Sequence, residues 1–263
     1  MDVTRTTAIV LAGLLATAAA CGGDDDSSTS GDGGAKDTSP PSSVIDPGDA
    51  ASYKPQLDPA DFVATVDNPY WPLKPGSRWS FEGTDDGEVE RIEVVVTDQH
   101  KEILGIQATV VRDTVKDEEG TLIEDTYDWY AQDKEGNVWY LGEDSTEYEN
   151  GKAHSTSGSW EAGVDGAYPG IAMPADPTVG KSYRQEYYKG EAEDVAEVMK
   201  AGAGPETVEA GTYKDLIVVK EWNPLEPDVV EQKTYAPGIG VILEEKVEGG
   251  EGRVELLETT IKP

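Results

Sequence analysis

Apolar and polar residues alternate with a period of two along most of this chain from residue 61 onward. Segments 91–97, 106–112, 127–132, 137–141, 181–188, 215–222, 231–235, 241–245 and 253–258 set β-branched or aromatic residues against charged ones. That alternation is the signature of strands with one buried face. Glycine-bearing acidic breaks separate the runs. Asp117-Glu118-Glu119-Gly120, Asp133-Lys134-Glu135-Gly136-Asn137 and Glu248-Gly249-Gly250-Glu251-Gly252 read as hairpin turns. Residues 192–199 fit a short helix or a strand, and their place among strands favours the strand. The predicted class is all-β, a largely antiparallel meander.

The pattern recurs. Lys74-Pro75-Gly76-Ser77-Arg78-Trp79 is echoed by Thr178-Val179-Gly180-Lys181-Ser182-Tyr183, and Glu93-Val94 by Glu197-Val198. The run from Gly105 to Val110-Val111 is echoed by the run from Gly211 to Val218-Val219. Trp129-Tyr130-Ala131 with Val138-Trp139 is echoed by Thr234-Tyr235-Ala236 with Val241-Ile242. This predicts two meanders that cannot each cover their own apolar face and that pack as a sandwich or a continuous sheet. The expected halves are residues 61–157 and 178–263. Between them, 158–177 is a Gly/Pro-dense connecting loop that nevertheless carries Trp160, Tyr168, Ile171 and Met173, as packed functional loops do.

The N-terminal end is different in kind. Residues 8–20 are apolar apart from Thr17 and end in Ala18-Ala19-Ala20 just before Cys21, the sole cysteine. The run is shorter than the roughly 20 residues that span a bilayer. It fits the hydrophobic core of a secretory signal with a small-residue cleavage site. With Arg5 before it, the segment resembles a bacterial lipoprotein signal peptide, residues 1–20. That resemblance implies an acylated (palmitate-type) Cys21, a membrane anchor and a place on the extracytoplasmic face of the cell membrane. Residues 21–60 are rich in Gly, Ser, Asp and Pro and are expected to form a flexible linker, with an r.m.s. reach of about 30–35 Å for about 35 residues.

Charge narrows the partners. The chain has 53 acidic and 21 basic residues and a formal net charge of −32. Phosphates and anionic lipid surfaces would be repelled, so nucleic acid is excluded and the membrane is expected to be met only through the lipid anchor. Two histidines and one cysteine cannot furnish a tetrahedral zinc site. His154, near Ser155 and Asp165, lacks a Gly-x-Ser-x-Gly elbow. Calcium takes oxygen ligands, and the acidic cluster Glu143, Asp144 and Glu147 is the candidate for it; no other cofactor is expected.

Asp67-Asn68-Pro69-Tyr70-Trp71-Pro72-Leu73-Lys74-Pro75-Gly76-Ser77-Arg78-Trp79 resembles the N-x-Y-W/F-P-L-x-P-G-x-x-W opening of a group of exported bacterial proteins of unknown function. Tyr235-Ala236-Pro237-Gly238-Ile239-Gly240 resembles the Y-A-P-G-V/I-G turn near their C-termini, common in actinobacterial lipoproteins. The resemblance covers roughly residues 67–245 and implies an envelope lipoprotein without implying an activity. The leading expectation is a non-enzymatic, membrane-anchored β-domain. It would bind a small apolar ligand or an envelope protein at contacts near Trp160, Tyr168 and Met173. An envelope structural or assembly factor is the alternative, and a hydrolase ranks below both.

Overall fold

A computed structural model describes residues 53–85 and 87–262. The signal peptide, Cys21 and most of the expected linker lie outside the described residues. Apart from a 3-10 turn at Pro59–Asp61, the described residues are antiparallel strands and turns, as the period of two predicts.

Short strands come first: β1 (Phe62–Val63), β2 (Val66–Asn68) and β3 (Trp71–Leu73). A long meander follows: β4 (Arg78–Asp85), β5 (Glu88–Ile103), β6 (Ile106–Asp117), β7 (Leu122–Asp133) and β8 (Val138–Glu149). β9 (Lys152–Ser155) comes next, and the 158–177 connection, expected as a loop, carries β10 (Trp160–Glu161) and β11 (Tyr168–Met173). The chain continues through β12 (Ser182–Arg184), β13 (Glu186–Tyr187), β14 (Val195–Ala203), β15 (Glu206–Val208) and β16 (Gly211–Tyr213). It ends with β17 (Leu216–Trp222), β18 (Val230–Ala236), β19 (Gly240–Glu248) and β20 (Gly252–Thr259).

Hydrogen-bonded neighbours run β12-β14-β17-β18-β19-β20-β4-β5-β6-β7-β8-β11-β13. The first and last strands of that order are consecutive in the chain. Residues 182–184 pair with β14, and residues 186–187 pair with β11. Gln185 is the point of exchange: its N–H donates to the Asp194 carbonyl at 2.9 Å, and its side-chain amide donates to Glu221 Oε1 at 3.0 Å. Among the described residues the sheet thus nearly closes on itself, with residues 182–187 joining its two ends, and closure is how β structures avoid edge pairing. The fold also starts before residue 61, because Tyr53 is buried and donates its hydroxyl to the Pro169 carbonyl at 2.7 Å.

Pairings recur in the two parts of the ring. Gly76 N–H donates to Val96 O at 2.8 Å, and Gly180 N–H to Val198 O at 2.8 Å. Val96 N–H returns to Ser77 O at 3.0 Å, and Val198 N–H to Lys181 O at 3.0 Å. Both glycines have positive φ, 85° and 79°, which glycine adopts without a Cβ penalty. Further on, Val96 opposes Val111 and Val111 opposes Asp128, while Val198 opposes Val219 and Val219 opposes Lys233. Val96 therefore corresponds to Val198, two residues from the sequence alignment of Glu93-Val94 with Glu197-Val198. Tyr130 corresponds to Tyr235 as that alignment has it. The core lies on the inward face of the ring, with Trp79, Phe81, Ile92, Leu256, Ile242 and Tyr235 among its buried side chains.

Candidate functional site

The inward face is not purely apolar. In Val111-Arg112-Asp113-Thr114-Val115, strand alternation puts Asp113 in phase with Val111 and Val115, and all three are buried. Asp128 on β7, opposite Val111, is completely buried, as is the Tyr140 ring on β8. Tyr140 donates its hydroxyl to Asp128 Oδ1 at 2.7 Å and stacks on Tyr130 at 4.8 Å. Glu143 is paired opposite Asp128 and is also buried. Four residues before Asp128 on β7, Glu124 accepts a 2.8 Å hydrogen bond from the Thr126 hydroxyl.

Burial holds these acids toward their neutral forms. It pushes the Glu124 carboxyl up to about 8, against the Thr126 hydrogen bond, with Asp128 adding to the rise. It pushes the Asp128 carboxyl up to about 7, against the Tyr140 hydrogen bond. Asp113 and Glu143 are raised well above the ordinary carboxylate range, first by burial and then by Asp128 and Glu124. Among the described residues, both oxygens of Asp113 and Oδ2 of Asp128 have no hydrogen-bond partner.

Asp113 and Asp128 border a cavity of about 70 Å³. Trp71, Pro72 and Leu73 form one wall, Trp79, Phe81, Val94, Val111 and Tyr130 line the strands, and Ile239, Gly240 and Val241 complete it. Trp71, Pro72, Val94 and Val241 are half-buried and form its solvent-facing side. The two motifs of the sequence resemblance thus meet here. Gly238 N–H donates to Pro69 O at 2.7 Å, and Trp79 Nε1–H donates to Ile239 O at 2.8 Å. Trp71 packs against Tyr130 at 5.4 Å and against the corresponding Tyr235 at 5.9 Å. The opening segment is itself pinned: Gln132 Oε1 accepts from the backbone N–H of Asp67 and of Asn68, both at 2.8 Å, and Asn68 Oδ1 accepts from Tyr70 N–H at 2.9 Å.

The second part of the ring solves the same problem differently. Glu221, Glu231 and Glu244 are buried there, but Lys233 is buried among them. Its Nζ lies 2.7 Å from Glu221 Oε2 and 3.6 Å from Glu244 Oε2. Glu221 also accepts from the Tyr235 hydroxyl at 3.2 Å. Lys246 pairs with Asp85 at 2.8 Å.

The residues singled out from sequence lie elsewhere. Trp160 is buried edge-on to Tyr140 at 5.3 Å and donates Nε1–H to Glu186 Oε2 at 2.9 Å. Met173 is fully buried, and Tyr168 stacks on Tyr187 at 6.3 Å. None of the three lines the cavity. Glu143 and Asp144 are neighbours on one strand, so Glu143 points inward and Asp144 outward. The calcium candidates Glu143, Asp144 and Glu147 are therefore not gathered on one face. Among the described residues no group of three or more His, Cys, Asp or Glu is arranged to hold a metal. No described helix is long and apolar enough to cross a membrane.

No family model and no curated protein matches the chain. Two solved structures are similar in shape. A protein of Bacteroides fragilis assigned as exported, with a YmcC-like fold, aligns at 15% identity and TM-score 0.43, covering 73% of this chain and 98% of its own. A protein of Parabacteroides distasonis assigned as a lipoprotein aligns at 13% identity and TM-score 0.41, with the same coverage, 73% and 98%.

Proposed function

We propose that this chain is an extracytoplasmic lipoprotein, tethered through Cys21, whose closed β-domain binds a small molecule in the cavity beneath Trp71. The observation that carries the reading is the combination of aromatic walls with Asp113 and Asp128, buried carboxylates whose remaining oxygens lack partners. A buried polar atom without a partner costs roughly 1–3 kcal/mol. Such atoms survive where something else completes them. Concave apolar pockets with a few convergent polar groups are the usual form of small-molecule sites. The aromatic-and-proline motif and the Tyr-Ala-Pro-Gly-Ile-Gly turn then have a shared task, which is to frame this cavity from its two sides.

The test is nuclear magnetic resonance of the indole N–H groups in the full ¹⁵N-labelled chain. Titration with small probes of apolar body, 1-butanol and n-butylamine, is expected to shift the Trp71 and Trp79 resonances in a saturable way. The other tryptophans should be affected less. If neither probe moves Trp71 or Trp79, the cavity is not a binding site.

A further inference from the structure

Resting on that reading, we infer that the ligand of this cavity carries a cationic head group, a protonated amine, seated against Asp113 and Asp128. The comparison between the two parts of the ring carries the step. Asp128 opposes Val111 on one side and Glu143 on the other; Lys233 opposes Val219 and Glu244 in the same way. Two residues further along the same strand pairs, Asp113 opposes Thr126 as Glu221 opposes Glu231. In the second part, the ammonium of Lys233 sits among the acids, 2.7 Å from Glu221. In the first part, an aspartate stands in the lysine's place, and among the described residues no cationic side chain pairs with Asp113 or Asp128. One acidic cluster carries its own ammonium; the other opens onto a cavity.

The cavity fits such a group. At about 70 Å³ it is smaller than the roughly 150 Å³ cavity that accommodates benzene, so it suits an ammonium and a few carbons rather than a ring. Trp71, Trp79 and Tyr130 offer aromatic surface of the kind that attracts a cation by its quadrupole. A hard metal ion is a poorer match, because calcium seeks six to eight oxygens and most of this lining is carbon.

The experiment compares probes of one shape and different charge. Binding of n-butylamine and 1-butanol to the full chain is followed at pH 8 through the Trp71 and Trp79 indole resonances. The amine is expected to bind at least tenfold more tightly. In Asp128→Asn the preference should fall to near parity while 1-butanol still binds, which shows that the variant is folded. Asp113→Asn provides the second variant and should reduce the preference in the same direction. Equal binding of the two probes to the wild-type protein would overturn the cationic head group while leaving the pocket intact; no shift from either would remove the pocket itself. Displacement of n-butylamine by millimolar CaCl2 held at constant ionic strength would also overturn the inference, by making the site one for a metal.

Discussion

Lys233 and Asp128 stand at corresponding places and should respond oppositely to truncation. Removing the ammonium in Lys233→Met leaves Glu221 and Glu244 buried without their counter-ion. Breaking a buried pair from one side costs about 3–5 kcal/mol, to be read as a lower urea midpoint at pH 7. Asp128→Asn keeps an oxygen for the Tyr140 hydroxyl and removes a charge that burial already disfavours. The Asp128 carboxyl titrates at about 7 in the fold and near 3.9 when unfolded. Its contribution is therefore fully present below the unfolded value and lost as pH rises through 7. The variant should match the wild type only near or below the unfolded value of about 3.9, and exceed it increasingly up to pH 8, by a few kcal/mol there. A variant less stable at both pH values would mean that the ionised carboxylate is held by something favourable. These acids were hard to pick from the sequence, because 53 carboxylates invite a surface reading. The sign was present nonetheless: Asp113 shares the phase of Val111 and Val115, and Asp128 that of Tyr130.

At the level of elements, the period of two made the strands of both meanders legible, because each presents one face to the core and one to water. It failed where a strand is covered on both sides or changes partners. β11 contains Pro169 and Gly170 and is flanked by β8 and β13, so its pattern is continuous rather than alternating and reads as loop. At Gln185 the chain changes neighbours, from β14, which follows it in sequence, to β11, which precedes it, and no local signal marks the exchange. Gly170 is the residue that lets the ring close there. A Cβ at this position would collide with the backbone carbonyl of Gln185, and neither backbone can yield without breaking pairs. Gly170→Ala is expected to destabilise by about 1–3 kcal/mol or more, as overpacking does. Gly76→Ala meets open space and only a positive φ, for a cost of about 1–2 kcal/mol. Urea unfolding of the two variants, with amide exchange across residues 182–187, separates the cases: only Gly170→Ala should accelerate exchange at the seam.

For the whole molecule, the proposed tether and the charge are the properties that matter. If Cys21 is the anchor, Cys21→Ser should move the protein from the membrane fraction to the soluble fraction without changing the unfolding of the β-domain. Charge makes a less obvious demand. Most proteins lose stability on acidification because their carboxylates are better ionised in the fold. Here burial raises Asp113, Glu124, Asp128, Glu143, Glu186 and Glu231, in each case as the largest cause. Over that range the native state holds more protons than the unfolded chain, so stability falls as pH rises from about 4 through about 8. The surface pushes the same way, since a net charge of −32 repels itself less when partly protonated. Salt distinguishes the two sources. At 1 M the Debye length shrinks to about 3 Å, which screens exposed charges and leaves buried ones nearly untouched. The urea midpoint should therefore be higher at pH 5 than at pH 8 in dilute buffer and remain higher in 1 M NaCl. A slope that vanishes in salt would place the effect on the surface. A slope that persists in salt and flattens in Asp128→Asn would trace it to the acids lining the cavity, the same groups whose charge an amine ligand would offset.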